Sequence, residues 1–240
     1  MSVGISDRFL SDWYSATSEK LIAGGLDVTN LQLWLAADVI SGLANGDLLT
    51  TWSDSTVNQR NATQTDSGQK PAYNTNQING LPAVSFGSGD RMIVSHHADL
   101  DCTNGLSLYL VYAPASSVGF TGYLDKWVSG IGWMIDNAST GNKLRLLINS
   151  GAGEAPQTID STFRLHSVLS GSGIYESGML EQSINLANGS SQAQNLVING
   201  DGTSTLSNAC RYAEILIYNV KHTSDQRVAV EQYLKSKYGI

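Results

Sequence analysis

Apolar and polar residues alternate with a period of two along most of the chain, which is the pattern of β-strands that bury one face. In the stretch 211–218, Ala213 and Ile215 fall on one predicted face and Tyr212 falls on the opposite one. Turns rich in Gly and Asn separate the strand candidates, and the pattern predicts an antiparallel β-sandwich. The candidates are 31–35, 83–86, 92–95, 106–112, 132–136, 143–149, 163–166, 167–170, 174–175, 179–183, 196–198 and 211–218.

Helical periodicity is confined to the two ends of the chain. At the C-terminus, Thr223 and Gln226 fit a capping box, and Gly239 stands where a helix would end. At the N-terminus, Asp7 can cap a short helix, which Gly24 would stop. The apolar residues of this N-terminal segment are Phe9, Leu10, Trp13, Tyr14 and Leu21.

Composition narrows the choice of partners. Apolar residues make up 41% and charged residues only 15%, and the net charge is −7. A nucleic-acid partner needs clustered Lys and Arg, so none is predicted. The longest apolar stretches fall short of the ~20 residues that span a bilayer, so no membrane partner is predicted either. The N-terminus has no secretory signal pattern, which favours a chain kept in the cytoplasm or one whose leader has been removed.

The two cysteines, Cys102 and Cys210, leave two alternatives open. They can form a disulfide in an oxidising compartment, or they can be unpaired, buried thiols. No CxxC spacing indicates zinc.

The order of several motifs resembles the laminin-G-like, concanavalin-A-like jelly rolls over residues 28–240. The resemblance implies an all-β, two-sheet antiparallel jelly-roll sandwich, here with a short N-terminal helix and a C-terminal helix. Residues 1–27 would then be a separate helical extension. The motifs are LWLAAD at 33–38, WSDS at 52–55, ATQ at 62–64, NGLPAVSF at 79–86 and the closing strand AEILIYN at 213–219.

The resemblance says little about function, because such domains serve as lectins, adhesion modules, enzyme appendages and phage structural parts. Some relatives hold calcium with loop carboxylates. Asp38 and Asp54 lie in or before turns, where a carboxylate can instead accept hydrogen bonds from free backbone N–H groups. No loop is dense in Asp and Asn as calcium requires, so no metal or other cofactor is predicted.

A catalytic site is not predicted. Some relatives are glycoside hydrolases with a Glu-x-Asp-x-x-Glu strand, and no glutamate here begins that motif. Glu176 and Glu181 can approach each other across a hairpin, but their spacing equally fits an exposed hairpin tip. His96 and His97 are adjacent and would point to opposite faces of a strand, so they cannot share a metal. His166 is predicted to face solvent.

The segment 123–133 has the composition of a ligand site. Aromatic rings stack on sugar faces, and nearby charged side chains bind sugar hydroxyls. The competing interpretation places the two tryptophans in the core of adjacent strands. The candidate residues are Tyr123, Asp125, Trp127 and Trp133.

Three functions are compatible with these features. The first is a non-enzymatic virion surface component of a phage, such as a decoration, tail or fibre protein, made in the host cytoplasm. The second is a carbohydrate-binding module of a secreted or cell-surface bacterial protein, with surface glycans as partners. The third is a glycoside hydrolase with an unfamiliar site.

The N-terminal extension is predicted to dock on another protein or on a second copy of this chain. Burying one large apolar side chain contributes about 1.5–3 kcal/mol, so several together can hold a partner. Deletion of residues 1–25 is expected to leave the domain folded and to abolish oligomerisation or particle binding. The measurement is the sedimentation of both forms. Earlier melting with unchanged assembly would show instead that the segment folds back on its own domain.

Overall fold

The computed structural model describes residues 26–114, 121–138, 143–158, 160–200 and 209–240. The predicted N-terminal helix, and with it the docking residues Phe9, Leu10, Trp13, Tyr14 and Leu21, lies outside these residues, so both stay predictions. Within the described part, no helix is both long and apolar enough to cross a membrane.

The described chain forms an antiparallel sandwich with one α-helix, which confirms the predicted fold class. Two short 3₁₀ turns lie at Ala37–Val39 and Ala98–Asp101. The elements in chain order are β1 (Leu31–Ala36), β2 (Thr51–Trp52), β3 (Ala62–Thr63), β4 (Ala72–Ile78), β5 (Leu81–Phe86), β6 (Met92–Val94), β7 (Ser107–Pro114), β8 (Thr121–Val128), β9 (Ile131–Ala138), β10 (Lys143–Ile148), β11 (Gly151–Thr158), β12 (Arg164–Leu169), β13 (Gly173–Glu176), β14 (Met179–Ser183), β15 (Leu196–Ile198), β16 (Cys210–Tyr218) and α1 (Ser224–Tyr238).

Each sheet has eight strands. The first, which we call the helix-side sheet, has the order β14-β13-β12-β7-β16-β5-β4, and β1 also pairs with β16. The second, the outer sheet, has the order β11-β10-β9-β8-β15-β6-β3-β2. The main core lies between the two sheets and includes Trp52, Trp133 and Ile215, all fully buried.

A second core lies on the other face of the helix-side sheet, beneath α1. Val230, Leu234 and Tyr238 of the helix are buried there, together with Trp34 and Leu26. The helix begins at the predicted capping box, and Gly239 ends it with a left-handed φ of 69°. The helix-side sheet is therefore buried on both faces, so alternation along its strands does not separate core positions from solvent positions.

Glu214 of β16 fastens the end of α1 to this sheet. Its fully buried carboxylate accepts hydrogen bonds from Trp34 Nε1 at 2.6 Å and Tyr238 Oη at 2.7 Å. Lys237 Nζ lies 2.8 Å from the same carboxylate and 2.9 Å from Asp38. A buried carboxylate is tolerated because these partners compensate its lost hydration.

The cysteines are free and buried, so the unpaired alternative is confirmed. Cys210 begins β16, whereas Cys102 Sγ lies 3.9 Å from the carbonyl oxygen of Tyr218 at the other end of that strand. At ~3.3 Å per residue, the strand separates the thiols by far more than a disulfide can bridge. Burial raises the pKa of Cys210 to about 12, which keeps this thiol protonated.

One end of the sandwich is important for the site. Arg164 at the start of β12 pairs with Tyr112 near the end of β7, and Cys210 pairs with Pro114. In the outer sheet, Thr121 at the start of β8 pairs with Asn137 near the end of β9. We call this end the Arg164 end.

Candidate ligand-binding site

Five polar side chains gather on β7, β12, β13 and β14 of the helix-side sheet, at the Arg164 end. Arg164 and His166 lie two residues apart on β12, so they share a face, and that face also carries core residue Val168. Arg164 pairs across the ladder with Tyr112, and His166 pairs with Glu176. The Arg164 cluster comprises Tyr112, Arg164, His166, Glu176 and Glu181.

Ion pairs orient the guanidinium of the cluster. Arg164 Nη1 donates to Glu176 Oε1 at 2.8 Å, and Arg164 Nη2 donates to Asp160 Oδ1 at 2.6 Å. The Arg164 side chain is 10% exposed and that of Glu176 is 23% exposed, whereas that of Asp160 is 62% exposed. The cluster thus runs from the sandwich interior to its surface.

Three buried polar atoms of the cluster have no hydrogen-bond partner among the described residues: Tyr112 Oη, Arg164 Nε and His166 Nδ1. The Tyr112 and His166 rings are 5.7 Å apart between centroids, and both residues are almost fully buried. An unsatisfied buried polar atom costs about 1–3 kcal/mol. Three such atoms on two paired strands call for an explanation, such as a water molecule or a ligand that bonds to them.

The cluster has perturbed acid–base properties. Burial lowers the pKa of His166 to about 3, and the positive charge of Arg164 contributes, so the imidazole is neutral at pH 7. Burial raises the pKa of Glu181, and the negative charge of Glu176 raises it further. Burial also raises the pKa of Tyr112 well above its ordinary value. Perturbed groups in one place are typical of functional sites.

Aromatic rings form the wall behind these polar groups. The Tyr112 ring is stacked on Tyr212 with centroids 6.1 Å apart, and it meets Tyr123 edge to face at 5.3 Å. The hydroxyl of Tyr212 donates to the carbonyl oxygen of Tyr123 at 3.1 Å. The neighbouring hydroxyls of Tyr112 and Tyr212 therefore differ, since only the second has a partner in the described structure. An aromatic wall with a few oriented polar groups is the usual composition of a small-molecule site.

None of the four residues of the predicted ligand segment is exposed. Tyr123 and Trp133 are core residues, and Trp133 Nε1 donates to the carbonyl oxygen of Leu100 at 2.8 Å. Asp125 is buried and accepts a hydrogen bond from the backbone N–H of Trp127 at 2.7 Å. Trp127 is partly buried, and its Nε1 donates to Asn149. Of the two interpretations, the structure places Tyr123 and Trp133 in the core, and ligand binding by the segment stays a prediction.

The paired histidines lie just beyond β6 rather than on a strand, at the opposite end of the sandwich from Arg164. His96 Nδ1 is 3.1 Å from Lys126 Nζ, which in turn lies 2.8 Å from the buried carboxylate of Asp101. His97 instead lies 3.3 Å from Asp99. The two imidazoles thus have different partners, although not because a strand separates them.

Metal-binding features are absent from the described residues, in which no group of three or more His, Cys, Asp or Glu side chains could hold a metal ion. Asp54 accepts hydrogen bonds from the backbone N–H groups of Trp34, Thr56 and Arg60, which is the turn-capping role considered above. Asp38 forms an ion pair with Lys237.

The prediction that His166 faces solvent is wrong, because its side chain is buried between the sheets. Alternation with Phe163 and Leu165 predicts solvent on the side of His166, but the face of β12 that carries Leu165 contacts α1, which leaves His166 between the sheets. The available signal was the stretch 163–169, which has apolar residues on both predicted faces and so fits a strand that is buried on both sides. The predicted hairpin of Glu176 and Glu181 is confirmed, with Ser177 and Gly178 at its turn.

Comparisons with known proteins concern the fold. No protein-family model matches the chain, and no curated protein matches its sequence. The binding domain of botulinum neurotoxin DC, solved in complex with SialylT, matches with a TM-score of 0.57 and 13% identity over 85% of this chain. A structure of botulinum neurotoxin type C matches with a TM-score of 0.59 and 14% identity over 86% of this chain. Cell entry of this toxin depends on interaction with two ganglioside molecules. Trypanosoma rangeli sialidase matches with a TM-score of 0.56 and 12% identity over 96% of this chain.

This chain spans 52%, 51% and 37% of those three chains, respectively. At such identities the likeness concerns architecture and not activity. None of the three is a virion component, so the phage assignment stays a prediction. The chain has the jelly-roll β-sandwich fold that these toxin binding domains and the sialidase also contain.

Proposed function

We propose that this protein is a non-enzymatic carbohydrate-binding domain and that the Arg164 cluster is its sugar site. The observation that carries the proposal is the set of three unpartnered, buried polar atoms on Tyr112, Arg164 and His166. A sugar hydroxyl can donate and accept at once, so one hydroxyl pair can satisfy a phenol, an imidazole nitrogen and a guanidinium N–H.

The surroundings suit a sugar in two further respects. The Tyr112 ring is buried between Tyr123 and Tyr212, which fix the position of its unpartnered hydroxyl. Glu176 and Glu181 supply carboxylate oxygens that accept further hydroxyl hydrogen bonds. The glycans and gangliosides named for the toxin domains of this fold support the ligand class by analogy only.

The proposal is tested by Tyr112→Phe, with Tyr212→Phe as the matched control. Tyr112→Phe removes a hydroxyl without a described partner, so we expect unchanged stability or a gain of up to about 1 kcal/mol. If that hydroxyl binds sugar, affinity falls about two- to tenfold. Tyr212→Phe removes the hydrogen bond to Tyr123 and is expected to cost about 1 kcal/mol of stability.

The measurements are urea denaturation of both variants and a glycan array followed by calorimetry on the glycans that bind. A native protein that binds no glycan would contradict the proposal. If the native protein and Tyr112→Phe bind the glycan with equal affinity, the sugar site is not the Arg164 cluster.

Glycoside hydrolysis is the second candidate, and the raised pKa of Glu181 beside Glu176 favours it. Such catalysis uses two carboxyl groups, and the pKa of the one that acts as the acid is raised. We propose binding instead, because the chain lacks the Glu-x-Asp-x-x-Glu strand and because Arg164 occupies one oxygen of Glu176. Turnover of laminarin that disappears in Glu176→Gln or Glu181→Gln would reverse this choice.

A further inference from the structure

The charges of the Arg164 cluster are unbalanced towards the negative. Arg164 is the one cation of the cluster, and both of its terminal nitrogens are already engaged by carboxylates, one of Glu176 and one of Asp160. Glu181 adds a third acidic group on β14. His166 contributes no positive charge at pH 7, because burial lowers its pKa to about 3.

An arriving carboxylate would find no unpaired cation in this cluster. The Nε–H of Arg164 is unpartnered, but a carboxylate bound there would be the third around one guanidinium, beside Asp160 at 2.6 Å and Glu176 at 2.8 Å. It would also add to the negative charge of Glu176 and Glu181, and like charges at close range are strongly unfavourable. Burial raises the pKa of Glu181, and the negative charge of Glu176 raises it further, so this second cause shows the effect that an added carboxylate would strengthen.

We infer that the Arg164 cluster selects uncharged sugars and rejects those that carry a carboxylate, such as sialic acid. The inference rests on the proposed function and specifies its ligand class. The three unpartnered atoms of the cluster can all bond to hydroxyl groups, which are the polar groups of a neutral sugar. A neutral ligand also leaves the ion pairs of Arg164 intact, so no desolvated charge is left without its partner.

The experiment compares matched pairs of glycans on the native, full chain. Each pair has the same core with and without a terminal sialic acid, for example lactose and 3′-sialyllactose, and affinities are measured by calorimetry. We expect the neutral member to bind at least about tenfold more tightly. Glu181→Gln removes one negative charge at nearly constant size, so it is expected to narrow this difference about threefold or more.

Asp225→Asn is the control variant, because it removes the same charge from an exposed position at the start of α1. It is expected to leave the preference for the neutral glycan unchanged. Equal or tighter binding of the sialylated member would overturn the inference while leaving carbohydrate binding in place. Binding of neither member, in this pair and across an array of neutral and acidic glycans, would overturn both.

Discussion

Replacing Gly132 with alanine is expected to lower the free energy of unfolding by about 2–5 kcal/mol. Gly132 lies on β9 with φ +97°, a conformation that L-residues rarely adopt, and an added Cβ would overlap the carbonyl oxygen of Lys126. The left-handed conformation alone costs about 1–2 kcal/mol. Overpacking adds about 1–3 kcal/mol, because Lys126 belongs to the neighbouring strand β8 and cannot withdraw without breaking the ladder.

Gly46→Ala separates these two contributions. Gly46 has φ +89°, and a Cβ there would meet nothing within 4 Å. Its cost is therefore expected to be the conformational part alone, about 1–2 kcal/mol. Urea denaturation of the two variants measures both values. Equal losses would show that the strands around Lys126 yield to the added methyl group.

Acidification from pH 7 to pH 5 is expected to destabilise the protein by about 4 kcal/mol through two buried histidines. Burial lowers the pKa of His166 to about 3 and that of His222 to about 4. In the unfolded chain, histidine titrates near pH ~6.5. Below that pH the unfolded state binds protons that the folded state does not, so stability is complete above pH ~6.5 and falls as the pH decreases.

Each histidine contributes about 2 kcal/mol of this loss between pH 7 and pH 5. Glu181 and Asp136 act in the opposite direction, because burial raises the pKa of both carboxyl groups and so favours the folded state as they take up protons. Urea denaturation at several pH values measures the slope. His166→Gln and His222→Gln are each expected to remove about half of it. A slope that persists in the double variant would assign the loss to other groups.

Local sequence determined much of the architecture of this protein. The capping box of Thr223 and Gln226 and the left-handed Gly239 place the C-terminal helix, because a helix end needs those groups within a few residues of one another. Two-residue turns such as the one at Ser177 and Gly178 place hairpins for the same reason. Strands β4 and β11 are absent from the candidates because their residues are mostly polar or small and half exposed. The two-residue strands β2 and β3 are absent as well, and so is β8, whose segment was considered only as a ligand site or as core.

The strand faces were harder to assign from the sequence. Alternation predicts Tyr212 on the face opposite Ile215, yet both lie in the core between the sheets. A register shift between Tyr212 and Glu214 inserts one extra residue and exchanges the faces of everything before it. Because such a bulge depends on pairing with β7, a strand about a hundred residues earlier in the chain, no local pattern in β16 reveals it.

The candidate site was decided by tertiary structure alone. Tyr112, Arg164 and Glu176 lie on three different strands, and only the antiparallel register brings them together. Simple alternation placed His166 in solvent, whereas the helix-side sheet packs on the outer sheet with one face and on α1 with the other. When both faces of a strand are buried, alternation no longer separates core from solvent, and a polar residue on either face becomes a buried one.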